Sequence, residues 1–118
     1  PPEGQPLEIV YQPPDEGDAE VRRLYLELPS GTKLTVNDDS VLLETGDTKV
    51  EVLRDGDVTV ESAGKLTLKA QGDILIEAGG SKLEILHDGD VTLESAGKLT
   101  LKAKSDVLVE AGGNVEIT

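Results

Sequence analysis

Residues 50–81 read VEVLRDGD, VTVESAGK, LTLKAQGD and ILIEAGGS, four consecutive blocks of eight residues, or octads. After one extra residue, Lys82, the octads continue as LEILHDGD, VTLESAGK, LTLKAKSD and VLVEAGGN, followed by VEIT. Positions one and three are always Val, Leu or Ile, and position seven is Gly except at Ser105. This alternation is typical of a strand with one buried face. The glycine supplies the backbone freedom, including a positive φ, that a corner requires. Each octad is therefore predicted to be one short strand and one corner of an all-β fold.

The repeat region is preceded by two segments of different character. Residues 1–18 hold five of the six prolines and are predicted to be an extended arm or linker. Residues 19–33 are predicted to form a strand and turn leading into the repeats, with the partner strand running to Asn37. Residues 34–118 are predicted to be the β-helical repeat region. Its first octads, LTVNDDS and VLLETGDT, are looser, and the second is followed by another extra residue, Lys49.

The composition narrows the class of protein. The 118 residues include two Tyr but no Phe, Trp, Met or Cys. A core of Val, Leu, Ile and Ala suits a thin, regular object better than a globular monomer, which usually buries bulky aromatic side chains. The net charge of −13 argues against binding to nucleic acid or to anionic lipid. No segment has the pattern of a signal peptide or of a membrane-spanning helix.

The charged positions favour three intertwined chains over one coiled chain. In a one-chain solenoid with three octads per turn, Lys69 would stack on Glu94 but Glu61 on Leu86, so no regular ladder would form. In three chains wound together, octad n lies beside octad n+1 of a neighbour, so Glu61 meets Lys69 and Lys69 meets Glu77. The sequence therefore predicts an inter-subunit charge ladder at position four: Glu61, Lys69, Glu77, Glu94, Lys102 and Glu110. A monomeric solenoid and a merely solubilising surface remain the alternatives.

Positions one and three of the regular octads are predicted to face the interior of the trimer. This predicted core consists of aliphatic residues only: Val58, Val60, Leu66, Leu68, Ile74, Ile76, Val91, Leu93, Leu99, Leu101, Val107 and Val109. The predicted fold is thus an intertwined homotrimeric triple-stranded β-helix, a triangular prism.

The octads VTVESAGK, LTLKAQGD and ILIEAGGS resemble the triple-stranded β-helix needle of cell-puncturing spike proteins. Such needles occur in contractile-tail phages, in valine–glycine repeat proteins of type VI secretion and in extracellular injection systems. The resemblance covers about residues 34–118, and LYLELPSGTKLTVNDDS is similar to the segment that leads into such a needle. The chain departs from the family in lacking room for the oligonucleotide/oligosaccharide-fold domain that usually precedes the needle.

The resemblance implies a non-enzymatic structural needle that mechanically pierces the target cell envelope. It also implies a baseplate or tail-tube hub at the N-terminal end, a conical tip protein at the C-terminal end, and transient contact with the target membrane. The expected location is a virion tail or an extracellular injection apparatus, assembled in the cytoplasm. The alternative function is a shaft segment of a trimeric fibrous adhesin or tail fibre.

The sequence contains few candidate catalytic or metal-binding residues. His87, the only histidine, occupies position five of its octad, where it would either line the threefold axis as an ion site or point outward from a turn. The two Asp-Gly-Asp stretches at 55–57 and 88–90 lack the ligand run of a calcium loop and are predicted to be corners. No catalytic motif is present, so we expect no enzyme activity, no cofactor and no metal.

Overall fold

The computed structural model describes residues 8–12 and 23–118, and the regular secondary structure there consists only of β-strands. The predicted all-β class is confirmed. No helix with the length and apolar character needed to cross a bilayer occurs in these residues. The strands are β1 (Glu8–Gln12), β2 (Arg23–Glu27), β3 (Lys33–Asn37), β4 (Ser40–Thr45), β5 (Thr48–Leu53), β6 (Val58–Glu61), β7 (Ile74–Ala78), β8 (Ser81–Ile85) and β9 (Val91–Glu94).

The chain divides into two units, Pro1–Thr67 and Leu68–Thr118. In the first unit, strands β1 to β6 form one antiparallel sheet in which each strand pairs with the next along the chain. In the second unit, β7, β8 and β9 form a three-stranded antiparallel sheet with the same simple order. Sequential pairing of this kind needs only short turns.

The N-terminal part of the sheet contains the hairpin that the sequence predicts. Strands β2 and β3 pair antiparallel, and the turn between them is closed by hydrogen bonds from Leu28 N to Thr32 O and from Gly31 N to Leu28 O, both at 2.9 Å. Within the predicted proline-rich arm, residues 8–12 form β1, which pairs with β2. The rest of that arm, residues 1–7 and 13–18, lies outside the described residues.

The same three-stranded pattern occurs twice, 33 residues apart. We call β4–β6 the first meander and β7–β9 the second meander. Within each, the first turn has two residues, Gly46-Asp47 and Gly79-Gly80 respectively. The second turn contains Asp-Gly-Asp: Leu53 N donates to Asp57 O at 2.8 Å, and Leu86 N donates to Asp90 O at 2.9 Å. Three successive octads therefore pair within one chain, which the sequence analysis did not foresee.

The other octads bend at the predicted positions but form no strand within the chain. Bends occur at 63–64 and 71–72 after the first meander and at 96–97, 104–105 and 112–113 after the second, eight residues apart within each run. The expectation of a positive φ at these corners is wrong, because the positive-φ residues include none of Gly64, Gly72, Gly97 or Gly113. An L-residue can therefore adopt the corner conformation, which explains why Ser105 occupies one of them.

No described side chain is fully buried, apolar or polar. The strands of the two meanders are at most half-buried, and residues 96–118, beyond the second meander, are exposed throughout. A folded domain normally encloses one contiguous apolar core. The described residues have the alternating apolar positions from which such a core is built, but these side chains do not enclose a core within the chain.

Candidate assembly surface

The residues predicted to form the trimer core make an exposed aliphatic surface in the single chain. Eleven of the twelve are exposed and Ile74 is half-buried; Leu68, for example, is 71% exposed and Leu101 is 67% exposed. Large exposed aliphatic side chains in such number often mark a protein–protein interaction site. Their burial between subunits is a property of an assembly and stays a prediction.

The total exposed area points in the same direction. The chain exposes 10,336 Å². A folded monomer of its mass, 12.5 kDa, exposes about 6,200 Å². Part of the exposed area is the aliphatic surface of the octads described above.

The extra residues Lys49 and Lys82, which interrupt the octad repeat, set the register of the two meanders. With Lys82 present, the antiparallel pairs across the Gly79-Gly80 turn join Ile76 to Leu83 and Ile74 to Ile85, so aliphatic residues share one face. Lys49 acts in the same way, because Leu43 then pairs with Val50. Since side chains alternate with a period of two, one inserted residue decides which face each side chain occupies.

The last octad provides the comparison, because it lacks an inserted residue. VLVEAGGN is followed directly by VEIT. Folding back over Gly112-Gly113 would place Val109 opposite Glu116 and Glu110 opposite Val115, by the same counting. Residues 107–111 form no strand, although they are nearly identical to the residues of β7. The inserted lysine is therefore a signal for pairing within the chain, and sequence reasoning could have found it.

The inserted lysines also make ion pairs within the chain. Lys49 Nζ lies 3.7 Å from Glu61 Oε2, and Lys82 Nζ lies 3.9 Å from Glu94 Oε2. Lys82 also approaches Glu84 Oε1 at 4.0 Å. Exposed pairs of this kind contribute about 0–1 kcal/mol each. Two acidic members of the predicted ladder thus have partners in their own chain.

The other members of the predicted ladder have none. Among the described residues, Lys69 and Lys102 make no ion pair, and the same holds for Glu77 and Glu110. The structure therefore brings no two of the six predicted ladder residues into an ion pair. The inter-subunit ladder stays a prediction, with its lysines available for a second chain.

His87 lies in the turn between β8 and β9, with its side chain 71% exposed. Asp73 Oδ1 accepts hydrogen bonds from the His87 backbone N–H at 2.8 Å and, when the ring carries a proton there, from Nδ1 at 3.0 Å. The backbone N–H first, and then the ring, lower the pKa of the Asp73 carboxyl below 3.8. This contact ties the start of β7 to the end of β8. Whether three copies of His87 meet at an axis concerns the assembly and stays a hypothesis.

The two Asp-Gly-Asp stretches are turns, as the sequence predicts. Asp55 Oδ1 accepts a hydrogen bond from Asp57 N, and Asp88 Oδ1 accepts one from Asp90 N, both at 3.0 Å. Gly56 and Gly89 have φ values of 108° and 104°. The first acid of each stretch therefore closes its own turn, in the manner typical of Asp. The described residues contain no group of three or more His, Asp or Glu that could hold a metal ion.

The comparison with known proteins gave one family. Residues 21–117 match the model of a family described as "Uncharacterized protein conserved in bacteria (DUF2345)". No curated protein and no solved structure matches the chain. The matched range contains both meanders and nearly all of the exposed C-terminal stretch.

Proposed function

The chain belongs to the DUF2345 family, a bacterial domain found in VgrG-type proteins, and from this premise we propose that it is the needle of a cell-puncturing spike. The proposed needle is a homotrimer whose three chains intertwine as a triple-stranded β-helix. It has no enzymatic activity and acts mechanically, by piercing the envelope of a target cell at the end of a contractile injection machine.

The observation that carries the proposal is that the octads repeat aliphatic residues at fixed positions, yet these side chains form no buried core within the single chain. After β6, none of the large aliphatic side chains at positions one and three is enclosed, and all of them except Ile74 and Leu83 are exposed. Burying apolar surface stabilises a fold by about 25 cal/mol per Å². A chain with this surface therefore gains most of its stability by association with further copies.

The intertwined arrangement suits a mechanical role. A shaft whose strands are hydrogen-bonded between chains loses one subunit only when many bonds break together. A closed prism also leaves no open sheet edge along its sides, and open edges promote aggregation. Its acidic surface opposes lasting adhesion to anionic lipid, which favours passage through a membrane over residence on it.

The oligomeric state gives the first test. Light scattering and native mass spectrometry at micromolar concentration are expected to give a mass three times 12.5 kDa. A stable monomer would end the proposal.

Delivery gives the second test and separates the needle from a fibre shaft. Residues 34–118 are removed from the spike while assembly of the rest of the apparatus is followed by electron microscopy. Penetration of target cells, measured by release of a periplasmic reporter enzyme, is expected to be lost, whereas attachment to those cells is retained. Loss of attachment would instead favour a shaft segment of an adhesin or tail fibre.

A further inference from the structure

We propose that each chain pairs its two meanders with itself and its remaining octads with two other copies. Residues 66–72 and 98–118 are then the inter-chain segments of the assembly, and β4–β9 are its within-chain segments. This division rests on the proposed trimer and refines it, because uniform intertwining would make every octad pair between chains.

The backbone provides the first argument. Among the described residues, the backbones of 66–72 and 98–118 make no hydrogen bond to any other part of the chain. These stretches nevertheless keep Leu, Val or Ile at positions one and three. A period-two apolar stripe with an unpaired backbone is stable only when strands are added beside it. The missing partner is therefore a strand.

The turn signals provide the second argument, because they explain why these octads do not pair within the chain. Each meander contains an Asp-Gly-Asp turn and an inserted lysine. Residues 66–72 and 98–118 contain neither signal. Without the inserted residue, folding back would place aliphatic residues opposite charged ones. Each 33-residue period thus consists of a meander, which folds back within the chain, and octads that do not fold back.

Charge identifies the partner as another copy of this chain. Lys102 and Glu110, both within residues 98–118, are one octad apart, and neither has an ion partner among the described residues. A second copy shifted by one octad presents the opposite sign at each of these positions. A partner of uniform charge would meet like charge at every second octad, which is destabilising. The exposed aliphatic side chains of this segment, Leu101 and Val109 among them, also fit a surface that another chain covers.

Two disulfide pairs test the division directly, and the chain contains no native cysteine to interfere. One variant carries Lys102→Cys and Glu110→Cys, in the segment assigned to inter-chain pairing. The matched control carries Lys82→Cys and Glu94→Cys, which replaces the same residue types at a position where the two strands pair within one chain. Directly opposed strand residues have the Cα separation that a disulfide requires.

After oxidation, denaturing gel electrophoresis is expected to show a covalent trimer for the first variant. The control is expected to run as a monomer, with the loss of two hydrogens confirmed by mass spectrometry. An in-chain link, or no link, at 102 and 110 in a protein that light scattering shows to be trimeric would overturn the division and leave the trimer standing. A monomer in solution would overturn both proposals.

Hydrogen exchange gives a readout that does not depend on the register between chains. In the native trimer, the amides of residues 99–114 are expected to exchange at least 100-fold more slowly than in a peptide of the same sequence. Exchange of this segment at the peptide rate, beside protected amides in the second meander, would also overturn the division.

Discussion

Glycine has two separate roles in this chain, and the backbone distinguishes them. In the Asp-Gly-Asp turns, Gly56 and Gly89 have φ values above 100°, and each N–H donates to a carbonyl three residues earlier. At the octad corners, Gly97 and its equivalents have no positive φ. The sequence alone assigned one role to both, because both occupy position seven of the octad.

Substitution separates the two roles. Gly89→Ala is expected to destabilise the protein by about 1–2 kcal/mol per chain, since a Cβ is strained at positive φ. The matched variant Gly97→Ser is expected to change the free energy of unfolding little, because Ser105 occupies the equivalent corner one octad later. Denaturant unfolding of both variants checks the difference. Equal losses would mean that the corners also require glycine.

Asp73 gives a prediction on pH. Its folded-state pKa lies below 3.8, so its contribution to stability is complete above pH 3.8 and is lost as the pH falls through the folded value. Asp73→Asn is therefore expected to be less stable than the natural chain at pH 5, with the difference shrinking as the pH falls below 3.8. Thermal unfolding across this range measures it. Asp106→Asn, which removes a charge from the equivalent octad position but no contact with His87, is the matched control for the change in net charge.

At the scale of strands and turns, a single inserted residue decides whether an octad folds back. Deletion of Lys82 would place Ile76 opposite Glu84 and Glu77 opposite Leu83, by the counting used above. Each of the two lost cross-strand aliphatic pairs, Ile76–Leu83 and Ile74–Ile85, costs about 0.2–1 kcal/mol, so we expect the deletion to cost about 0.4–2 kcal/mol per chain.

The control for this deletion is Lys82→Ala, which keeps the register and removes only the ion pairs with Glu84 and Glu94. Because exposed ion pairs contribute little, its cost is expected to be about 0–1 kcal/mol. Denaturant unfolding compares the two variants. A deletion no more costly than the alanine would show that register is not set by the inserted residue.

The elements show what the sequence could and could not predict. Period-two alternation predicted β-structure, and position seven predicted the bends, because both depend on local stereochemistry. Which strand each octad pairs with was harder to predict from the sequence. The sequence analysis placed every octad beside a neighbouring chain, whereas β7 pairs with β8 of its own chain. In the sequence, Lys49 and Lys82 interrupt the octad repeat. Their effect on the register of the strands becomes apparent only when the opposing residues are counted across a turn.

For the whole molecule, the exposure of a side chain in the single chain does not show whether it faces the interior or the outside of the proposed trimer. Leu101, at position three, is 67% exposed, and Leu108, at position two, is 78% exposed. The predicted core contains Leu101 but not Leu108, and only an assembly distinguishes them. This is why the core could be predicted from the pattern but not located in one chain.

Two aspartate substitutions make that distinction measurable. Leu101→Asp would bring three carboxylates together in the proposed interior, at a cost of several kcal/mol each unless they become protonated. We therefore expect native mass spectrometry at pH 7 to show dissociation or a large fall in the unfolding midpoint. Leu108→Asp is expected to leave the trimer intact. If both variants assembled equally well, the assignment of position three to the interior would be wrong.

The 33-residue spacing of the meanders has a consequence for how such a chain can change length. Residues 51–78 and 84–111 are identical at 21 of 28 positions, so their coding sequences are suited to unequal recombination. An exchange between them would add or remove 33 residues, which is one fold-back segment together with the octads that continue outward. Because Lys49 and Lys82 occupy equivalent places in the period, every turn and every inward stripe would keep its phase. Longer and shorter descendants of this chain could thus arise in one genetic step, without an intermediate whose strands are out of register.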